Sequence, residues 1–212
     1  MNNTSEIFEK NYKDYCDRIA GINFGAIKNT LGIEGDEDRL LVPFLNRDYR
    51  ISKNGITDTP GGRPDYMTCV ILAKYVLLCP DRIHQDTEWV SFKDFRKISH
   101  LTNLNYFLSD TEQAIVKQFS GRLDTLSRAG KELGGLDHPM AGSFDLSMQF
   151  GALPRISLLL LFNDRDDEFA ARCSVLFQKQ AEYYLDPESL AMTGALLAKN
   201  LKKACDRKFS QS

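Results

Sequence analysis

The stretch from Tyr66 to Cys79 limits what this chain can fold into more than any other segment. Its apolar residues fall on nearly every side of a helical projection, so other elements must cover it all round. A bilayer crossing takes about 20 apolar residues. This run is shorter and carries Lys74, so the cover has to be protein. The segment is therefore expected to be a central buried helix at about 65–79. With 42% hydrophobic and 26% charged residues, the 212-residue chain has the material to build that cover and lies outside the disordered range. Its length fits one domain over 1–212.

Ile7, Phe8, Tyr12, Tyr15 and Ile19 recur at the helical period and give a first helix from about Ser5 to Ala20, with Thr4 or Ser5 as cap. A short helix through Phe24, Ile27 and Leu31 ends near Gly32. Short β-prone runs at Leu40–Leu45, Tyr49–Ile51 and Ile56–Thr57, separated by turn residues such as Asn54-Gly55, predict a small meander. Pro43 places its strand at an edge or a bulge. Pro64 suits the first turn of the apolar helix.

Ser109-Asp110-Thr111-Glu112 has the capping-box pattern and predicts a helix from about Asp110, continuing past Leu133 with Gly121 and Gly130 as places to break. Phe144, Leu146, Met148 and Phe150 alternate with polar residues as a strand does, and Ile156–Phe162 reads as a strand central in its sheet. Phe169 to Phe177 alternates again, leaving a third strand and a helix from Glu168 both open. Asp186 and Pro187 cap a last helix. Without a regular βαβ alternation, the fold class is α+β: an N-terminal short meander and a C-terminal three-strand antiparallel meander packed with helices.

The net charge is -2, from 27 basic and 29 acidic residues, and provides no field to gather a polyanion or an anionic membrane. Nucleic-acid and membrane roles are not expected. No charged start followed by an apolar core opens the chain, so a cytoplasmic location is expected. The five cysteines, Cys16, Cys69, Cys79, Cys173 and Cys205, are scattered without a CxxC cluster, and most of them read as buried thiols. No cofactor is expected.

Three constellations could carry chemistry. Asp164, Asp166, Asp167 and Glu168 could offer oxygen ligands to a hard cation, but lack the twelve-residue calcium-loop spacing, so a solvated turn is the first reading. Asp137 and His138 after Gly134-Gly135, with Asp145 beyond, combine carboxylates with an imidazole, which can act as acid, base or ligand. The glycine pair equally suits an ordinary helix end. Thr59–Arg63, with Gly61-Gly62 just before a helix, could hold an anion on backbone donors and Arg63. The histidines His84, His100 and His138 lie too far apart for a local metal motif.

Arg63-Pro64-Asp65-Tyr66 with the apolar helix, Trp89 with Ser91–Phe95, and Leu153–Ile156 leading to Asp167-Glu168-Phe169 and Leu176-Phe177 are similar to an uncharacterised family, a domain of unknown function found mainly in anaerobic bacteria and archaea. The resemblance spans about residues 39–202. It carries no established activity. Some relatives resemble fusions to an iron–sulfur domain of the corrinoid methyl-transfer type, which implies a redox or corrinoid-linked partner. This chain lacks the clustered cysteines of such a domain.

The function stays unknown at this stage. The leading expectation is a cytoplasmic binding or accessory protein of anaerobic metabolism. One alternative is a small-molecule enzyme whose pocket gathers Arg63, Asp137, His138 and Glu168, with His138 as acid or base. The other is a structural interaction subunit with an exposed apolar patch.

Overall fold

The computed structural model describes residues 3–95, 101–139 and 144–209. His100 lies outside them. The chain begins with α1 (Asn3–Ala20) and α2 (Phe24–Leu31), so Thr4 and Ser5 belong to the first turn of α1 instead of preceding it. Asn23 caps α2, its Oδ1 accepting the Ala26 N–H at 3.2 Å. β1 (Glu34–Gly35), β2 (Arg39–Phe44), β3 (Arg47–Ser52) and β4 (Gly55–Asp58) then form an antiparallel sheet in sequence order. β1 reaches only Leu40 and Leu41 of β2. Pro43 thus falls where β2 has no strand on that side, as its missing N–H demands.

α3 (Tyr66–Leu77) is the apolar helix. Thr68 to Ala73, Tyr75 and Val76 are all buried. α1, α2, β4 and the C-terminal helix α7 (Pro187–Phe209) supply the cover that its composition requires. Asp65 caps it, accepting the Thr68 N–H at 3.1 Å; Pro64 sits ahead of the cap and not in the first turn. No described helix is long and apolar enough to cross a membrane.

β5 (Trp89–Ser91) leads through a 3₁₀ turn, Phe92–Asp94, to α4 (Leu101–Phe107). A π-helical segment, Leu108–Glu112, joins α4 directly to α5 (Gln113–Phe119), and α6 (Leu123–Glu132) follows. β6 (Leu136–Asp137), β7 (Leu146–Leu153), β8 (Ile156–Asn163) and β9 (Arg172–Gln178) complete a second antiparallel sheet of order β5-β9-β8-β7-β6. β8 is central and buried almost throughout. One hydrophobic core draws on residues from Ile19 to Cys205 and on both sheets. The fold is α+β with two antiparallel meanders, as the residue pattern predicts.

Three details differ from the sequence reading. Ser109–Glu112 does not start a helix but lies within one that begins at Leu101. Glu112 turns away from the helix end and accepts the Val175 N–H at 2.9 Å, so the capping-box residues serve another contact. Phe144 and Phe169 alternate in phase with the strands that follow them, yet both precede those strands and are exposed. The edge strands β1, β5 and β6 are too short for any periodicity to announce them.

Helix side chains close the open sheet edges. Tyr12 Oη accepts the outward N–H of Ile56 on β4 at 3.0 Å. Glu112 does the same for Val175 beyond the point where β5, paired with Leu176 to Gln178, stops. Lys28 Nζ donates to the Gly35 carbonyl on β1 at 3.2 Å. Unpaired edge groups recruit other chains, and these contacts reduce that opportunity at β4, β9 and β1.

The second sheet is strongly curled. β5 and β6 are its opposite edges, four strand spacings apart, or about 19 Å if flat. Yet the rings of Trp89 on β5 and His138 just past β6 meet edge to face, with centroids 5.8 Å apart. Only a sheet rolled towards closure brings its edges into side-chain contact.

Asp186 ties the two long buried helices together. Its Oδ1 accepts the Ser189 N–H at 2.8 Å to cap α7, and its Oδ2 lies 3.0 Å from Lys74 Nζ on α3. Burial alone would raise its pKa, but the Ser189 N–H and Lys74 outweigh this and hold it below the ordinary carboxylate range. A depressed pKa means that this contribution is complete above the unfolded-state value and is lost as pH falls through the folded one. Asp186→Ala is expected to cost about 1–2 kcal/mol at neutral pH. In urea titrations across the acid range, the gap between wild type and variant should narrow towards low pH. A constant gap would refute the assignment.

Candidate functional site

The residues that carry the family resemblance mostly act as joints. The Arg63 guanidinium is held by both carboxylate oxygens of Glu9 on α1 and lies 4.5 Å from the centroid of the Tyr12 ring. Tyr66 stacks on Phe8 with centroids 4.1 Å apart and accepts a hydrogen bond from Asn11. Together with the Asp65 cap, Arg63-Pro64-Asp65-Tyr66 fixes α1 against the start of α3. Arg155 donates from Nε and Nη2 to the Thr30 and Asn29 carbonyls at 3.1 and 3.0 Å, closing the C-terminal end of α2.

The Thr59–Arg63 loop does hold an anion, and the anion is the chain's own. Asp58 Oδ1 accepts the Gly62 N–H at 2.6 Å, and the Asp58 carbonyl accepts the Gly61 N–H at 3.0 Å. With Glu9 on the guanidinium, both halves of the expected anion receptor are satisfied internally. Glu9 is held below the usual carboxylate range by its bond to Arg63, and Arg63 is raised in return.

These joints wall a cleft of about 550 Å³ between β3, the end of β4 and the α3 N-terminus, a size in the range of small-molecule sites. Arg47, Asp48 and Tyr49 enter it from β3, and Arg63, Asp65 and Thr68 from the opposite wall. Its corner is the β2–β3 hairpin tip, where Leu45 and Asn46 both have positive φ, 47° and 61°. This is the left-handed pair that a two-residue hairpin needs, and it is uncommon for leucine. Leu45 is buried there and donates its N–H to the Ala152 carbonyl at 3.0 Å, linking the two sheets. Such strain persists only where surroundings enforce it, and it clusters at functional sites.

Within the cleft, the wall charges are committed. Asp58 and Arg63 have the partners given above, and Asp65 caps α3 with one oxygen and faces Lys199 at 3.9 Å with the other. Arg47 and Asp48 are exposed at the lip, and their side chains enter no ion pair among the described residues. Tyr49 is nearly buried; burial raises its hydroxyl pKa, against the pull of nearby Arg47, so it remains a neutral donor.

The other candidate residues lie elsewhere. Asp137 pairs with Lys131 at 3.5 Å and is largely exposed. His138 donates its N–H to the Ser147 carbonyl at 3.0 Å and meets Trp89, while its Nδ1 is buried without a hydrogen-bond partner. Gly134, in the left-handed region, donates to the Lys131 carbonyl, and Gly135 donates to the Gly130 carbonyl at 2.9 Å; the pair closes α6. Asp145, Asp164 and Asp166 come together at the β8–β9 end, in a cavity of about 460 Å³. Their oxygens serve the backbone: Asp145 accepts from Asp164 N–H, Asp164 from Gly121 N–H, and Asp166 from the N–H groups of Glu168 and Phe169. Among the described residues no three His, Cys, Asp or Glu side chains gather closely enough to hold a metal, Asp164, Asp166 and Asp167 included.

The cleft lined by Arg63 thus contains neither Asp137, His138 nor Glu168. The thiols of Cys69 and Cys173 are raised by burial, Cys69 to about 12, which keeps both protonated and poorly nucleophilic. Sequence reasoning missed Arg47 and Asp48 because it treated Tyr49-Arg50-Ile51 only as strand. The signal available was a pair of opposite charges where the next strand opens.

Residues 23–200 match the model of a domain of unknown function, DUF3786. The chain belongs to that family. No curated protein and no solved structure matches it. The DUF3786 span takes in every residue lining the cleft, whereas Glu9 and Tyr12, which brace Arg63 from outside, precede it.

Proposed function

We propose that this DUF3786 chain is a cytoplasmic binding or accessory protein that holds a small polar molecule bearing both charges in the cleft between β3 and the start of α3. The observation that carries this reading is the division of labour among the cleft's charges. Asp58, Arg63 and Asp65 are already paired, so the wall is set before a ligand arrives and little ordering cost remains. Arg47 and Asp48 stay solvated at the lip, with Tyr49 behind them, and can take an anionic and a cationic group.

The family resemblance adds a redox or corrinoid-linked protein of anaerobic metabolism as the partner. Electron or methyl transfer would then belong to that protein, and this chain would bind or present the small molecule.

Protein purified without oxygen should shift in melting temperature with members of a zwitterion set, amino acids and betaines included. Arg47→Ala with Asp48→Asn should weaken such a ligand at least tenfold, because charge-assisted hydrogen bonds contribute about 1.5–3 kcal/mol each. Stability without ligand should change by no more than about 0.5 kcal/mol, since both positions are exposed. A ligand retained at full affinity by the double variant would place binding elsewhere, and no response to any zwitterion would defeat the cleft reading.

A further inference from the structure

A further cavity, of about 310 Å³, lies on the other side of the α3 N-terminus. Met67 of α3, Tyr106 of α4, Ala114 of α5, and Ala195 and Ala198 of α7 form its floor and walls. Lys199 and Lys202 stand on the α7 rim, with Asp110 of the π-helical segment across from them.

The groove follows from how α7 meets the junction of α4 and the π-helical segment. At Gly194 the two are so close that a Cβ would lie 2.7 Å from the Phe107 ring and 2.8 Å from Thr111 Oγ1. Immediately further along α7 the same elements leave open space above alanines. Protein interiors normally fill such gaps; here Ala114, Ala195 and Ala198 leave it unfilled, although larger helix-forming side chains would close it. Ala195 and Ala198 are nearly buried, so the floor is recessed and not part of the outer surface.

The rim sets the charge of what could enter. Lys202 is exposed and has no ion-pair partner among the described residues, and Lys199 is held only by the long 3.9 Å contact to Asp65. The lysines lie one helical turn apart on one side, so an anionic group can meet both while Asp110 repels it from the other rim. We propose that this groove binds a small amphiphilic anion, its apolar body on Met67, Ala195 and Ala198 and its charged head between Lys199 and Lys202. The site opens apart from the polar cleft and shares with it only the long Lys199–Asp65 contact.

The test uses 8-anilinonaphthalene-1-sulfonate, an apolar anion that fluoresces when shielded from water, with the full-length protein and a circular-dichroism check that it is folded. Emission should rise saturably and be displaced by octanoate, with octylamine much less effective. Lys199→Glu with Lys202→Glu should weaken the probe at least tenfold, and Ala198→Phe should abolish binding by filling the groove. Arg47→Ala with Asp48→Asn should leave it unchanged, which separates this site from the cleft. The lysine variant, altered only at exposed positions, decides the matter even if Ala198→Phe does not fold. Equal binding to wild type and lysine variant, or equal displacement by octanoate and octylamine, would overturn the proposal.

Discussion

Phe177→Ala is expected to cost about 3–5 kcal/mol, the range for removing a large buried aromatic side chain. Phe177 is fully buried on β9 and pairs with Val90 on one side and Leu158 on the other. Its ring lies 6.2 Å from that of Phe92, 5.7 Å from Phe95 and 5.8 Å from Phe107. One side chain therefore joins the central strands, the turn after β5 and the helix ahead of the π-helical segment. Against a typical total stability of about 5–15 kcal/mol, this is a fifth or more. Urea denaturation should show a much lower midpoint at an unchanged slope. A loss below about 1 kcal/mol would mean that this cluster is not assembled as described.

Glu112 should give two opposite results. Burial raises its carboxyl pKa, although the Val175 N–H pulls the other way. A carboxyl raised on folding contributes most below its unfolded pKa, and that contribution disappears as pH rises through the folded value. Near neutrality the ionised group is thus a cost, offset by the hydrogen bond it accepts. Glu112→Gln keeps an acceptor for Val175 and removes the charge, so it should match or exceed wild-type stability at pH 7. Glu112→Ala leaves the Val175 N–H unpaired and should lose about 1–3 kcal/mol. Chemical denaturation of the three proteins at two pH values checks this, and equal losses in both variants would show that the edge contact is not what Glu112 contributes.

The apolar run at Tyr66–Leu77 dictated its own burial, and β8 its central place, because continuous hydrophobicity leaves no other stable arrangement. Asp186 was readable as a cap, since helix ends must satisfy their first N–H groups, whereas Asp65 was passed over for Pro64 and Asn23 was not singled out. What escaped the sequence is what depends on distant partners. Glu112 has the same spacing from Ser109 whether it closes a helix end or a sheet edge 63 positions away. Arg63 and His138 both looked like site residues, and nothing local announces that Glu9 holds one and Trp89 meets the other. Arg47 and Asp48 needed the α3 N-terminus opposite them before they defined a cleft.

The meeting of Trp89 and His138 also sets an order of events. The two residues are joined through a sheet whose intervening strands, β7 to β9, come later in the chain than either. Their contact therefore has to wait until those strands are in register, and long-range pairing of this kind is the slow part of folding. Because Trp89 is the sole tryptophan, indole emission followed during refolding would time the rolling-up of the sheet and not the burial of the central helix.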